Sequence, residues 1–277
     1  MDKIRLIASD MDATLLDEQS QLPADFEKTI HALAELGIRF APASGRPLYT
    51  LEAMFPTLQD ELVFIGDNGG AIRWKGQNLF TSEMSPEGWR ALNRLTREQG
   101  DIAVLCGLES AYVERPFAVH DAVLRHFYTK IEYVDRLEDV AAPADKFTIY
   151  LPQHNAQQAY DTVYASQRSI YSVAVAGECW VDIMNPGVHK GAALQTLGQL
   201  WGLPSESIMA FGDTYNDAEM LRTAKYGFLM ENGSEPLRQK VPFLAPSHRE
   251  AGVMQILQKV LAQNGFVCPA DFTPAHE

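Results

Sequence analysis

Short apolar strands alternate with amphipathic helices at both ends of this chain, and that alternation confines it to a parallel sheet covered on both faces. Lys3 to Ser9 has the continuous apolar character of a buried strand. Behind it, Leu22, Phe26, Ile30 and Leu33 recur at helical steps, with Pro23 suited to the first turn and Gly37 to the stop. Ile38 to Ala43 reads as a second strand, a short helix begins near Pro47, and Leu62 to Ile65 reads as a third strand. The order returns late in the chain: helix Lys190 to Trp201 closed by Gly202, strand Ile208 to Phe211, helix Asn216 to Lys225, strand Tyr226 to Met230, and a last helix from about Ala251 to Ala262. The tail from Cys268 onward, with two prolines and no periodicity, is expected to be loosely held.

Between the two blocks the grammar changes. From about Ser82 to Asp182, helices near 86–99, 119–128 and 156–165 alternate with strands near 102–106, 112–113, 146–151, 169–176 and 180–184. That mixture predicts a small α+β domain inserted into the first, entered soon after Asn68 to Gly70 and left near Asn185 to Gly187. The expected division is a core of 1–82 plus 185–277 and an inserted domain of 83–184. A chain of 277 residues is long enough for both.

Apolar residues at 46% and charged residues at 21% are those of an ordinary folded protein. A net charge of -13 opposes the basic footprint that nucleic acid requires, so an anionic ligand must meet positive charge supplied locally. Cys106, Cys179 and Cys268 are odd in number and far apart, which suits a reducing compartment. No apolar run approaches the roughly 18 residues of a membrane span, so no membrane association and a cytoplasmic location are expected.

Four strand-to-helix junctions carry the chemistry. In ASDMDATLLD, Asp10 and Asp12 follow a strand expected in mid-sheet, where ligands bind beyond the carboxyl ends. One carboxylate there can attack phosphorus, and the other can protonate a leaving oxygen and later deprotonate water. A lone D-x-D is more often a solvated turn. In ASGRP, Ser44 and the Gly45 amide open a helix and can face an anion, although the same residues would serve as an ordinary N-cap. In GVHKGAAL, Lys190 puts a cation at a helix start, where the macrodipole favours an acid; a bound phosphate would account for it, and an ordinary surface lysine is an equal reading of this motif alone. In AFGDTYNDAEML, Asp213 and Asp217 lie four apart with Asn216 between them; Asp213 is the better magnesium ligand and Asp217 the better support for a ligand.

Together, DMDATLLD, SGR, HKG and GDTYND, in that order, resemble the haloacid dehalogenase superfamily, specifically its Cof-like, type IIB branch. The resemblance runs from Asp10 to about Ala262. It implies a Rossmann-like, doubly wound α/β core with an inserted, mobile α/β cap of the C2B type. It also implies Asp10 as nucleophile, Asp12 as general acid and base, and Mg2+ held by Asp10, Asp213 and the Asp12 carbonyl. Ser44 and Lys190 would hold the transferring phosphoryl group, Asn216 would contact phosphate or support the metal, and Met11, Gly45 and Arg46 join the phosphate-binding set. One departure is Ala13, where the family usually has glycine; alanine tolerates the turn with modest strain.

The expected activity is hydrolysis of phosphate monoesters of small metabolites through an aspartyl-phosphate, sugar phosphates first, with nucleotide or pyridoxal phosphates also possible. The rivals are a phosphomannomutase-like phosphotransferase, which would need a bisphosphate activator, and a non-catalytic module that binds phosphorylated metabolites. A dehalogenase is disfavoured, because the resemblance implies that such enzymes lack the second aspartate. Trp89, Tyr112, Arg115, His120, Arg125, His126 and Trp180 are the cap side chains that could meet a substrate, although residues of these types more often pack in or solvate the cap itself.

Overall fold

The computed structural model describes residues 1–276. Its larger sheet has nine strands in the order Thr273–Pro274, Phe243–Ala245, Tyr226–Met230, Ile208–Gly212, Leu6–Asp10, Arg39–Ala43, Val63–Gly66, Ala71–Trp74 and Gln77–Thr81. The six from Phe243–Ala245 to Val63–Gly66 run parallel. From Leu6–Asp10 the chain builds outward through Arg39–Ala43 and Val63–Gly66, then returns to add Ile208–Gly212 and its neighbours on the opposite side. Leu6–Asp10 therefore stands at the topological switch point, where a crevice opens beyond the carboxyl ends of the strands.

Alternation along the buried strands feeds two cores. Ile7, Phe40, Phe64, Met209, Phe211 and Phe228 point to one face, where the helices Phe26–Glu35 and Gly252–Ala262 cover them. Leu6, Ala8, Ala41, Ala43, Ile65 and Ala210 point to the other, under the helices Lys190–Trp201 and Ala218–Thr223. The second face is lined by smaller residues, so its helices approach closely. A Cβ on Gly191 would come within 2.6 Å of the Glu219 backbone, so glycine there lets Lys190 sit beside the loop that carries Asp217.

The second sheet has six strands, in the order Ser172–Ala176, Trp180–Met184, Ala144–Tyr150, Ile102–Gly107, Ala111–Glu114 and Ile131–Val134. One face packs Trp89, Leu105, Phe147, Tyr164 and Ile183 beneath the helix Pro86–Gln99. The other carries Val104, Cys106, Tyr128, Tyr150 and Trp180. The Asn185 amide donates to the carbonyls of Ser82 at 3.2 Å and Glu83 at 2.8 Å, which ties the two stretches where the chain passes between the sheets.

Three expectations change. The tail is held: Thr273–Pro274 pairs antiparallel with Phe243–Ala245, and the Phe272 ring packs edge-on against Phe228 at 5.0 Å. The hairpin Ala71–Trp74 and Gln77–Thr81 was not anticipated; it turns through Lys75 and Gly76, at φ 50° and 71°. The helix read from Asn216 to Lys225 is one tight turn, Tyr215–Asp217, followed by Ala218–Thr223, because Thr214 and Asp217 cap each other reciprocally.

Candidate active site

Asp10, Ser44 and Asp213 leave the carboxyl ends of three adjacent parallel strands, so sheet geometry alone gathers them at one edge. Lys190 joins them from the first turn of its helix and is 1% exposed. Its ammonium donates to Asp10 Oδ1 at 2.5 Å and to Asp217 Oδ1 at 2.7 Å. The other Asp217 oxygen accepts the backbone amides of Asp213 at 3.0 Å and Thr214 at 3.2 Å. Asp217 thus braces both the cation and the Asp213 loop, with both oxygens engaged. The loop can fold that tightly only over glycine, since a Cβ on Gly212 would lie 2.4 Å from that of Asp217.

The site is short of positive charge. One carboxylate oxygen each from Asp10, Asp213 and Asp217 lie within 4.8 Å of one another, facing a single ammonium. Burial and the charge of Asp217 push the Asp10 carboxyl well above the usual carboxylate range, against the pull of Lys190. The same two causes, in the same order, raise Asp213 to about 6. Lys190 stays charged, because Asp10 and Asp217 outweigh its burial. A hard divalent cation with oxygen ligands would relieve this excess, and the all-oxygen donor set suits Mg2+.

Asp12 differs from its neighbours. Its side chain is 57% exposed, and Oδ1 accepts from Arg46 at 2.9 Å. It lines a cavity of about 710 Å³ together with Asp10, Ser44, Gly45, Arg46, Asp213 and Asn216. The Ser44 hydroxyl accepts the Arg46 amide at 3.1 Å, and Asn216, exposed, accepts from the Thr214 hydroxyl at 2.6 Å. Met11 is fully buried in the core beneath, so only its main chain can face the site. Ala13 adopts the left-handed turn itself, at φ 56° and ψ 13°.

Of the cap side chains singled out from sequence, Trp180 alone lines the cavity. Trp89 is buried in the cap core, and Tyr112 packs against that core. Arg115 pairs with Asp135 and Arg125 with Asp121, while His120 and His126 pack on Tyr150 and Phe127. Sequence reasoning missed Asn68, Tyr128, Lys146 and Asp182, all of which face the cavity. The available signal was charge inside largely apolar strands, at Lys146 beside Asp145 in DKFTIY and at Asp182 in WVDIM.

Residues 7–257 match the family model described as haloacid dehalogenase-like hydrolase. The chain belongs to that family. It falls in the Cof-like phosphatase branch: it is 32% identical over 262 residues, 93% of this chain and 96% of the relative, to an Escherichia coli (strain K12) protein named 5-amino-6-(5-phospho-D-ribitylamino)uracil phosphatase. It is 31% identical over 249 residues, 87% of this chain and 89% of the relative, to the HMP-PP phosphatase of Cronobacter sakazakii (strain ATCC BAA-894). A solved structure from Streptococcus mutans UA159 superposes with a TM-score of 0.83 at 29% identity, covering 94% of this chain and 99% of that one. A haloacid dehalogenase-like hydrolase from Bacteroides thetaiotaomicron, 22% identical, shares the fold at a TM-score of 0.80, covering 93% and 100%. Among the described residues, no helix is long and apolar enough to cross a membrane.

Proposed function

We propose that this phosphatase cleaves phosphate monoesters of small metabolites through an aspartyl-phosphate on Asp10, with Asp12 as general acid and then base. The observation that carries the reading is the contrast between two carboxylates two residues apart. Asp10 is buried and fixed by Lys190, as an in-line nucleophile must be, whereas Asp12 is exposed to the cavity and steered by a single guanidinium, free to shuttle a proton. Asp10, Asp213 and the Asp12 carbonyl would hold Mg2+, which when bound neutralises phosphoryl oxygens and the crowded carboxylates. Lys190 and the Ser44 hydroxyl hold the phosphoryl group, and Asp217 keeps Lys190 charged and aimed. The domain division at 82 and 185 makes the six-stranded unit a cap that covers the site and excludes bulk water.

For the substrate, the uracil-compound phosphatase of Escherichia coli named above favours a phosphorylated pyrimidine over the plain sugar phosphates expected from family likeness. The apolar far wall, with Phe127, Tyr128 and Trp180, suits a flat ring better than a hydroxyl-rich one. A phosphate-release panel with Mg2+ tests this, set to include pyrimidine, sugar and pyridoxal phosphates. Turnover by the wild type that disappears in Asp10→Asn and in excess chelator is the expected outcome. Full turnover by Asp10→Asn would sink the nucleophile, and a preference for aldose phosphates would sink the pyrimidine.

A further inference from the structure

On its cavity-facing side the six-stranded sheet carries Lys146, Thr148 and Asp182 among largely apolar neighbours such as Val104, Tyr150 and Trp180. Lys146 shares this face with Thr148 by simple alternation, just after a bulge between Ala144 and Lys146, and its side chain reaches the loops of the other sheet. The ammonium, 2% exposed, donates to the Gly45 carbonyl and lies 3.0 Å from Asp67 Oδ1 and 3.8 Å from Asp182 Oδ2. Asp182 in turn accepts from the Asn68 amide at 3.0 Å and the Thr148 hydroxyl at 2.8 Å.

The residues it reaches form one small unit. The Asp67 amide donates to the Arg46 carbonyl and the Asn68 amide to the Ser44 carbonyl, both at 2.9 Å, so the phosphate-facing loop is stitched to the loop after the next strand. Asp67 and Asn68 hold left-handed backbone conformations, at φ 50° and 55°, which cost energy for residues other than glycine and persist only where the surroundings enforce them. Lys146 and Asp182 are those surroundings, and both come from the other sheet.

We propose that Lys146 is a positioning residue for the phosphatase reaction, which this inference takes as given. By pinning Gly45 and Asp67, it sets the Ser44 to Arg46 loop in its phosphate-facing form only while the six-stranded sheet is seated. Cap closure and assembly of the phosphate cradle are then a single event. A loop displaced by about 1 Å costs on the order of 100-fold in rate, which bounds the effect.

The test uses Lys146→Met and, because a lone deletion leaves Asp67 buried and unpaired, the double variant Lys146→Met with Asp67→Asn. Each is assayed with p-nitrophenyl phosphate and Mg2+ well below its melting midpoint, alongside amide hydrogen exchange. The expected result is a kcat lowered about 10- to 100-fold per folded molecule, with faster exchange confined to 43–46 and 67–70. A residue that served stability alone would lower the midpoint and leave kcat in place. Rates within twofold of wild type, or unchanged exchange in both loops, would overturn the proposal. If the wild type turns over no ester at all, the phosphatase reading has failed instead, and the exchange measurement still decides whether Lys146 holds the loops.

Discussion

Replacing Asp217 by asparagine should separate bracing from chemistry. The aspartate is fully buried and receives three donors, the Lys190 ammonium and two backbone amides. An asparagine has one oxygen. If that oxygen keeps the amides, its NH2 group faces the ammonium, and two donors are forced together. Breaking a buried ion pair by removing one partner costs about 3–5 kcal/mol. Lys190 keeps Asp10 at 2.5 Å, so the lower end, about 3 kcal/mol, applies. At roughly 2–4 °C per kcal/mol, the melting midpoint should fall by roughly 6–12 °C. Asp12→Asn is the comparison, since that side chain is 57% exposed and its pair with Arg46 should be worth less than about 1 kcal/mol. Calorimetry and activity assays of both variants, each with Mg2+ present, should show Asp217→Asn losing stability and turnover together and Asp12→Asn losing turnover alone. If Asp217→Asn melts within about 2 °C of the wild type, or no lower than Asp12→Asn, the bracing role is refuted.

Other expectations are cheaper to check. Ala13→Gly should relieve a left-handed alanine worth about 1 kcal/mol, partly offset by the looser unfolded chain, so a small rise in the midpoint with unchanged turnover is expected; a fall in activity would show that the methyl group matters to the loop. Asp213 titrates at about 6 against an ordinary 3.8, so the metal-free folded state binds more protons between those values than the unfolded chain does. The Asp213 contribution to stability should therefore fall as pH rises from 4 to 6 and level off above, and the difference from Asp213→Asn across a pH series isolates that slope. The buried Asp10 adds a contribution of the same sign.

How much of this was legible in the sequence follows from the distance over which each signal acts. The helices Pro86–Gln99 and Lys190–Trp201 and the strands Trp180–Met184 and Tyr226–Met230 lie where the pattern put them, because caps, glycine stops and apolar runs are local. Asp10, Ser44, Lys190 and Asp213 could be gathered because each ends or begins an element of a parallel sheet, and topology does the rest. Lys146 could not be placed that way. Its partners Gly45 and Asp67 are far away in sequence and meet it only once the insertion folds back over the core. Residue type misled where exposure is the rule: Arg115 and Arg125 look like anion binders and pair with neighbouring acids instead. Alternation would have helped more, since Trp180 and Asp182 lie two apart on one strand and so share a face.

The short pairing at the end of the chain has a consequence for how copies of this protein meet. Without Thr273 and Pro274, Phe243–Ala245 would be the bare margin of a long, strongly apolar sheet, with the rings of Phe228 and Phe243 stripped of Phe272. Such a margin is a template on which a neighbour's strand can add. The last strand ends on a proline, which has no amide to offer to the next one. Thr273 and Pro274 therefore act as a selvedge, and their removal should show first as self-association in the test tube.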